Sequence, residues 1–450
     1  MLSQFKVSNF LSFDDEQIFS MEAGKVRSNI ERVYTGHGAK LLKFMAVYGA
    51  NASGKSNLVS AFDFAQMAII RGIPSSAYGC YCRLREENKN RPSHFEFTIL
   101  LGSEKYIYGF DAIISNGSFV TEYLKQIKYG SVYRTIFYRD TLTGTYEVDT
   151  YFKDTAINDR LKIYIEDIKN DSSILFLRAM NQNKDSLYKT ESPIGIYKRI
   201  YNWIRYKLSV NDPDRPLTNY SYLMDGVGVE RVGHLLSTFG TGVSEFAIAD
   251  ISLEKVTSKI PKELMQDIID NLNEQKKKYE KKNVDRIPAI MLRSSDDNSM
   301  FIIQLIKDAV QCKTLEFKHK ATDAIFSIDE ESDGTIRLLD LIEVLLSKED
   351  GKVYVIDEIN RRFHPLLTYK FVEEYLKLAP ERNIQLIVTT HESKLMDFDL
   401  LRKDEIGFVD KDEMGKSSIF SLDSFGERFD KKVCKAYLNG AYGAIPKFTT

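Results

Sequence analysis

The chain opens with two short stretches of mixed apolar and polar residues, Phe5-Lys6-Val7-Ser8-Asn9-Phe10 and Gln17-Ile18-Phe19-Ser20-Met21, which predict strand, turn, strand. From Leu41 to Tyr48 a mostly apolar run ends abruptly at Gly49. The period then changes. Leu58, Phe62, Ala65 and Ile69 recur every three or four residues and stop at Gly72, which predicts a helix. Strand-like pieces return at Phe95 to Leu101, Tyr106 to Ile114 and Phe119 to Leu124. Between the last two, Asn116-Gly117 signals a hairpin, because both residues tolerate positive φ. Val132 to Arg139 and Tyr146 to Tyr151 flank Thr141-Leu142-Thr143-Gly144 as a further pair. Residues 1–155 therefore read as a β-rich lobe around one strand–loop–helix unit.

The texture changes from 156 to 300. The spacing predicts helices at Asn158–Lys169, Ile194–Leu208 and Pro261–Lys282, separated by loops such as Asp212-Pro213-Asp214-Arg215-Pro216, with a short strand pair around Gly242 to Leu253. This segment is expected to be a mainly helical insertion. From 301 to 450 the pattern is α/β again: a helix at Thr335–Leu346, a strand at Val353–Ile356, a helix opening at His364-Pro365, a strand at Ile384–Thr389, and a hairpin near Ile406–Phe408 and Ser417–Leu422. No heptad pattern is sustained, which excludes a long coiled coil.

Composition narrows the function classes. At 450 residues the chain exceeds one ordinary core. A formal net charge of -2 gives no global field toward nucleic acid or an anionic membrane. The run Glu274-Gln275-Lys276-Lys277-Lys278-Tyr279-Glu280-Lys281-Lys282 reads as a solvated helix face, with a DNA contact left open. Cys80 and Cys82 form a C-x-C pair with no second Cys/His cluster nearby, and read as reduced thiols. No apolar run approaches the roughly 18–20 residues that span a bilayer, and no leader pattern opens the chain. A cytoplasmic protein without membrane contact is expected.

Four motifs carry chemistry. Gly49-Ala50-Asn51-Ala52-Ser53-Gly54-Lys55-Ser56 matches G-x-x-x-x-G-K-[ST], the P-loop, and Asn57 follows it into the helix. Its glycines let successive N–H groups face phosphate oxygens, above a helix N-terminus. Lys55 would reach the β- and γ-phosphates of ATP, and Ser56 would offer its hydroxyl to Mg²⁺. Second, Val353-Tyr354-Val355-Ile356-Asp357-Glu358 is an apolar strand ending in two acids. Asp357 suits the Mg²⁺ shell, and Glu358 can polarise the attacking water. Asp357 lies 302 residues after Lys55, so a large insertion separates the two halves of the site. Third, Thr389-Thr390-His391-Glu392 closes the next strand, 33 residues from Glu358 to His391, where an imidazole can contact a γ-phosphate or the water. Fourth, Glu331-Ser332-Asp333-Gly334-Thr335 precedes an apolar helix and offers a hydroxyl and free N–H groups to an anion.

Together these motifs resemble the ABC-type ATPases, specifically the RecF/SMC-like branch. The resemblance implies an ABC-type P-loop head in which a signature motif of one protomer closes over ATP held by the other. Ser332-Asp333-Gly334-Thr335 looks like a divergent signature that keeps Ser332 and Gly334 but lacks the second Gly. Lys55, Asp357, Glu358 and His391 fall on the P-loop lysine, metal aspartate, catalytic glutamate and switch histidine. The opening strand is similar to the first strand of RecF-like proteins. More narrowly, Asp357-Glu358-Ile359-Asn360-Arg361-Arg362-Phe363-His364-Pro365 and Tyr442-Gly443-Ala444-Ile445-Pro446 look like the AbiLi-type ATPases of bacterial abortive-infection operons. One departure is Asn360, where the family usually has Asp, so a contact made by that acid across a dimer is not carried over.

The leading expectation is an ATP-binding, slowly hydrolysing switch that forms a homo-oligomer through an ATP sandwich. The resemblance adds an antiviral role, a phage-derived trigger sensed through residues 156–300, and a separate effector such as a nuclease. The alternative is a RecF-like DNA repair or recombination ATPase, which needs a basic surface and salt-sensitive binding. A third reading, a self-contained nuclease with an ATPase head, ranks last because the sequence offers no metal-ligand constellation outside the ATPase motifs.

Overall fold

The computed structural model describes residues 1–128, 132–150, 155–188, 194–213, 221–224, 226–281, 287–294, 297–425 and 433–445. Tyr151 of the predicted strand, Asp214-Arg215-Pro216 of the predicted loop, Lys282 of the predicted helix end and Pro446 of the last motif lie outside the described residues. The chain divides into two compact units. One comprises Met1–Arg215, Lys348–Arg361 and Val372–Thr450, and the other Pro216–Ser347 and Arg362–Phe371. Residues 156–215 thus belong to the first unit and 216–300 to the second.

Two sheets build the first unit. The larger is seven-stranded and antiparallel, in the order Tyr146–Val148, Tyr133–Asp140, Ser118–Ile127, Glu104–Ile113, Ser93–Leu101, Leu2–Ser8, Gln17–Ser20. Gly117, at φ 72°, closes the predicted hairpin after a short 3₁₀ turn at Ile114–Asn116. The second sheet runs Leu208–Asn211, Val353–Ile356, Gln385–Thr389, Phe44–Tyr48, Ile406–Lys411, Ser417–Ser421. Its first five strands are parallel and the last is antiparallel. Phe44–Tyr48, Val353–Ile356 and Gln385–Thr389 are buried throughout, which explains their continuous apolar sequence.

The helix Lys55–Arg71 shares one core with both sheets. Phe62 stacks on Phe5 at 4.0 Å between ring centroids and lies against Phe97, while Phe64 meets Phe10 and Phe95. The same core takes in Val47, Val353, Val355 and Ile387 of the parallel sheet. This packing fixes the helix N-terminus, and with it the loop that precedes it.

One predicted helix ends early. The α-helix Gly195–Asn202 passes into a π turn at Trp203–Lys207, and Leu208, expected as the last helical residue, instead opens the strand Leu208–Asn211. Tertiary pairing wins over periodicity here. Leu208–Asn211 gains a parallel ladder with Val353–Ile356, and the Gln66 side-chain amide donates to the Ile204 and Leu208 carbonyls at 2.6 and 2.7 Å.

The second unit holds an antiparallel sheet in the order Val243–Ile251, Ala309–His319, Met300–Ile306, Ala289–Arg293. The expected short strand pair near Gly242 is thus one long strand, paired with Ala309–His319. The helix Lys262–Lys281 buries Ile268 and Leu272 against Ile303 and Leu305. Among the described residues, no helix is long and apolar enough to cross a membrane.

Candidate nucleotide site

The phosphate loop begins where the fully buried strand Phe44–Tyr48 ends. Ala52 (φ 62°) and Gly54 (φ 113°) are left-handed, so the chain curls around its own N–H groups before the helix starts at Lys55. The glycines are sterically required. A Cβ on Gly49 would stand 2.3 Å from the Val409 carbonyl oxygen and 2.5 Å from Ser53 Oγ, and one on Gly54 would stand 2.4 Å from Ser417 Oγ.

The loop is tied from behind by two serines, Ser12 and Ser417. Ser417 Oγ donates to the Ser53 carbonyl at 2.6 Å and is bonded to Ser12 Oγ at 2.7 Å. Asn57 Nδ2 also donates to Ser12 Oγ, at 2.7 Å. Ser12 and Ser417 carried no motif in the sequence. Their role depends on a fold that joins positions 405 residues apart.

Lys55 is buried and donates to the carbonyls of Gly49 and Ala50, each at 2.9 Å. Burial lowers its pKa to about 8, against the pull of Asp357 and Glu358, which favour the charged form. Ser53 Oγ is buried without a hydrogen-bond partner. These features fit a phosphate chain: a cradle that a Cβ would fill, a desolvated cation and an unspent hydroxyl.

Asp357 and Glu358 leave the end of the Val353–Ile356 strand, and His391 leaves the end of Gln385–Thr389 two residues later. Thr389 joins the two acids. Its hydroxyl donates to Asp357 Oδ1 and accepts from the Glu358 N–H at 2.8 Å. Glu358 itself is left-handed, at φ 47°, a backbone state that a non-glycine residue holds only when its surroundings enforce it. Asn360 has a local task in place of the family acid. Its Oδ1 accepts from the Thr390 hydroxyl at 2.9 Å and the His391 N–H at 3.3 Å, which holds the turn carrying the imidazole. Burial, then the Lys55 charge, lower the His391 pKa below the usual histidine value.

Asn51 through Asn57, Glu358 and His391 line one cavity of about 510 Å³. Lys411, at the end of the strand Ile406–Lys411, lines it as well. Sequence reasoning did not single out Lys411, because a lysine at a strand end is commonplace until the neighbouring strand proves to be that of the phosphate loop. Ser56, exposed beside Lys55, and the buried Asp357 are the residues suited to Mg²⁺. That ion commonly takes one or two protein oxygens and completes its shell with phosphate and water.

Ser332 and Gly334 belong to the other unit. Ser332 caps the helix Asp333–Leu346, its Oγ accepting from the Thr335 N–H at 3.1 Å. A Cβ on Gly334 would come within 3.3 Å of the Arg362 carbonyl oxygen. All four cysteines are free, and no set of three or more His, Cys, Asp or Glu side chains among the described residues forms a metal-binding group.

The chain is similar to an SMC head bound to the C-winged helix domain of ScpA, at 12% identity and TM-score 0.42, covering 94% of this chain and 98% of that one. It is also similar to the SMC head domain from Thermotoga maritima, at 12% identity and TM-score 0.33, covering 93% and 98%. A third is the SMC head with an extended coiled coil bound to the C-terminal domain of ScpA, derived from Pyrococcus furiosus, at 16% identity and TM-score 0.38, covering 94% and 97%. The curated proteins offer no match to the sequence. A family model described as "AAA domain, putative AbiEii toxin, Type IV TA system" matches residues 44–143 and 234–397, more than half of the chain, including the phosphate loop, Asp357, Glu358 and His391. The chain belongs to this AAA-domain family, AAA_21, of P-loop ATPases.

Proposed function

We propose that this protein is an ATP-binding and slowly hydrolysing switch that closes ATP between protomers. On this reading it is the cytoplasmic sensor or regulator of a bacterial anti-phage system and controls a separate effector, such as a nuclease. The observation that supports it is the convergence of Lys55, Glu358 and His391 on one cavity at the phosphate loop. The AbiEii and toxin–antitoxin wording of the family supports the defence role.

The residues divide the work. The loop N–H groups and Lys55 hold the phosphates. Ser56 and Asp357 would hold Mg²⁺, which supplies charge neutralisation to the phosphates. Glu358 takes the proton of the attacking water. His391, neutral near pH 7 because burial and Lys55 depress its pKa, acts there as a hydrogen-bonding group rather than a cation. Ser332 and Gly334 close over the ATP of the neighbouring protomer, so that the closed state binds ATP more tightly than the open one. Residues 156–300 sense the trigger.

The test is the mass of Glu358→Gln in solution, with and without ATP and Mg²⁺, by light scattering after size exclusion. The variant is expected to gain mass only with nucleotide, because it binds ATP without removing it. A mass that ignores ATP sinks the sandwich.

A further inference from the structure

The first unit carries another concavity, of about 920 Å³, at the opposite end of the parallel strands. Lys207, Gly351 and Asn383 line it, just before the strands Leu208–Asn211, Val353–Ile356 and Gln385–Thr389 begin. Asp357 and His391 follow the other ends of the last two of these strands, and Gly49 follows that of the parallel neighbour Phe44–Tyr48. The two cavities share no lining residue.

One wall is the helix that ends early. Arg199, Trp203, Tyr206 and Lys207 follow at helical spacing, and the π turn at Trp203–Lys207 keeps them on the cavity. Such turns recur at functional sites. Tyr34 adds a third aromatic ring to the lining.

Two side-chain cations, Arg199 and Lys207, and two acids, Glu349 and Asp350, stand on these walls, and among the described residues Arg199 is the one of the four left without a close polar partner of its own. Glu349 is taken by Lys207 at 2.9 Å and Lys352 at 3.5 Å. Asp350 Oδ1 accepts from Asn383 Nδ2 at 3.0 Å. Arg199 has no carboxylate in ion-pair range among the described residues. Its one hydrogen bond is a long one, 3.4 Å, to the Tyr106 hydroxyl, which itself donates to Glu104. Trp203 is 2% exposed, and its Nε1–H is buried without an acceptor. Acids engaged by Lys207 and Asn383, a guanidinium without a carboxylate, and the Tyr34 and Tyr206 rings beside Trp203 suit a flat apolar body with a negative end. We propose that this cavity is a second small-molecule site, for a planar aromatic compound bearing one acidic group.

Trp203 is the only tryptophan of the chain and lines this cavity, so a dye seated here is a close acceptor for its emission, and the variants below tell this site from others. The probe is 1-anilinonaphthalene-8-sulfonate, titrated against the full chain with excitation of Trp203 and emission read from the dye. Saturable energy transfer is expected. Arg199→Ala should weaken it at least tenfold and Arg199→Lys should restore part of the loss. Lys55→Ala should leave it unchanged, which separates this site from the nucleotide cavity. N-phenyl-1-naphthylamine, which lacks the sulfonate, should bind at least tenfold more weakly. Equal binding of the two dyes, or a titration that Arg199→Ala does not alter, overturns the proposal. Arg199 is exposed, and thermal melting of each variant checks that its fold is intact.

Discussion

Lys55 carries a charge that depends on its surroundings. In the free protein burial brings its pKa to about 8, well below an unfolded lysine. The cost of burying the cation is fully present below pH 8 and is relieved as pH rises from 8 toward the unfolded value near 10.4. Phosphate oxygens favour the charged form, so nucleotide binding above pH 8 must draw a proton from solvent. We predict that ATP affinity is level below pH 8 and falls by up to about tenfold per pH unit between 8 and 10. Titration calorimetry in two buffers of different ionisation enthalpy measures the proton uptake directly, and an affinity that stays flat from pH 7 to 10 contradicts the assignment. Much of this was legible from the residues: a Gly-x-x-x-x-Gly-Lys-Ser run specifies its own backbone, and the left-handed Gly54 and crowded Gly49 are what such a motif demands. The cation at Lys411 was not legible, because it is brought to the cavity by strand order rather than by sequence neighbours.

At the level of elements, the buried parallel strands were the easiest to read and their cross-links the hardest. Val353–Ile356 has the bounds that its apolar run predicts, since a strand covered on both faces has no polar positions to blur its ends. Leu208–Asn211 directly follows a helical period that takes in its first residue, and Met300–Ile306 and Ala309–His319 escaped notice because their partners are set by the fold. Thr389 is the most consequential cross-link. It is buried on the central strand and serves both acids of the neighbouring strand end, which nothing in the spacing reveals. Thr389→Val keeps the shape and removes both bonds, leaving the Glu358 N–H without its acceptor. We predict a stability loss of about 1–3 kcal/mol by denaturant melts. ATP turnover should fall about tenfold or more while nucleotide still binds at the loop, since the acids lose their orientation and the phosphate cradle does not. Unchanged turnover in the folded variant removes Thr389 from the machinery.

At the scale of the whole molecule, one unit is assembled from both ends of the chain and the other from its middle. The distance between Lys55 and Asp357 announced an interruption, and the family match, broken between 143 and 234, has the same character. Where the units divide was less legible, because residues 156–215 are helical in texture yet contribute a strand to the sheet of the nucleotide site. The serine clasp behind the phosphate loop has a consequence in time. Ser417 is made 364 residues after the Ser53 whose carbonyl it secures. At about 5–20 residues per second, that delay is roughly 20–70 s on the ribosome. Throughout it the loop lacks its tether, and the strand Ile406–Lys411 beside it has not been made for most of the interval. Ribosome-stalled chains of increasing length, probed with a photoreactive ATP analogue, should label Lys55 only once Ser417 has emerged; labelling of much shorter chains would contradict this. A phosphate loop secured this way is expected to stay blind to ATP until residue 417 has been made, so that shorter nascent chains hold no nucleotide.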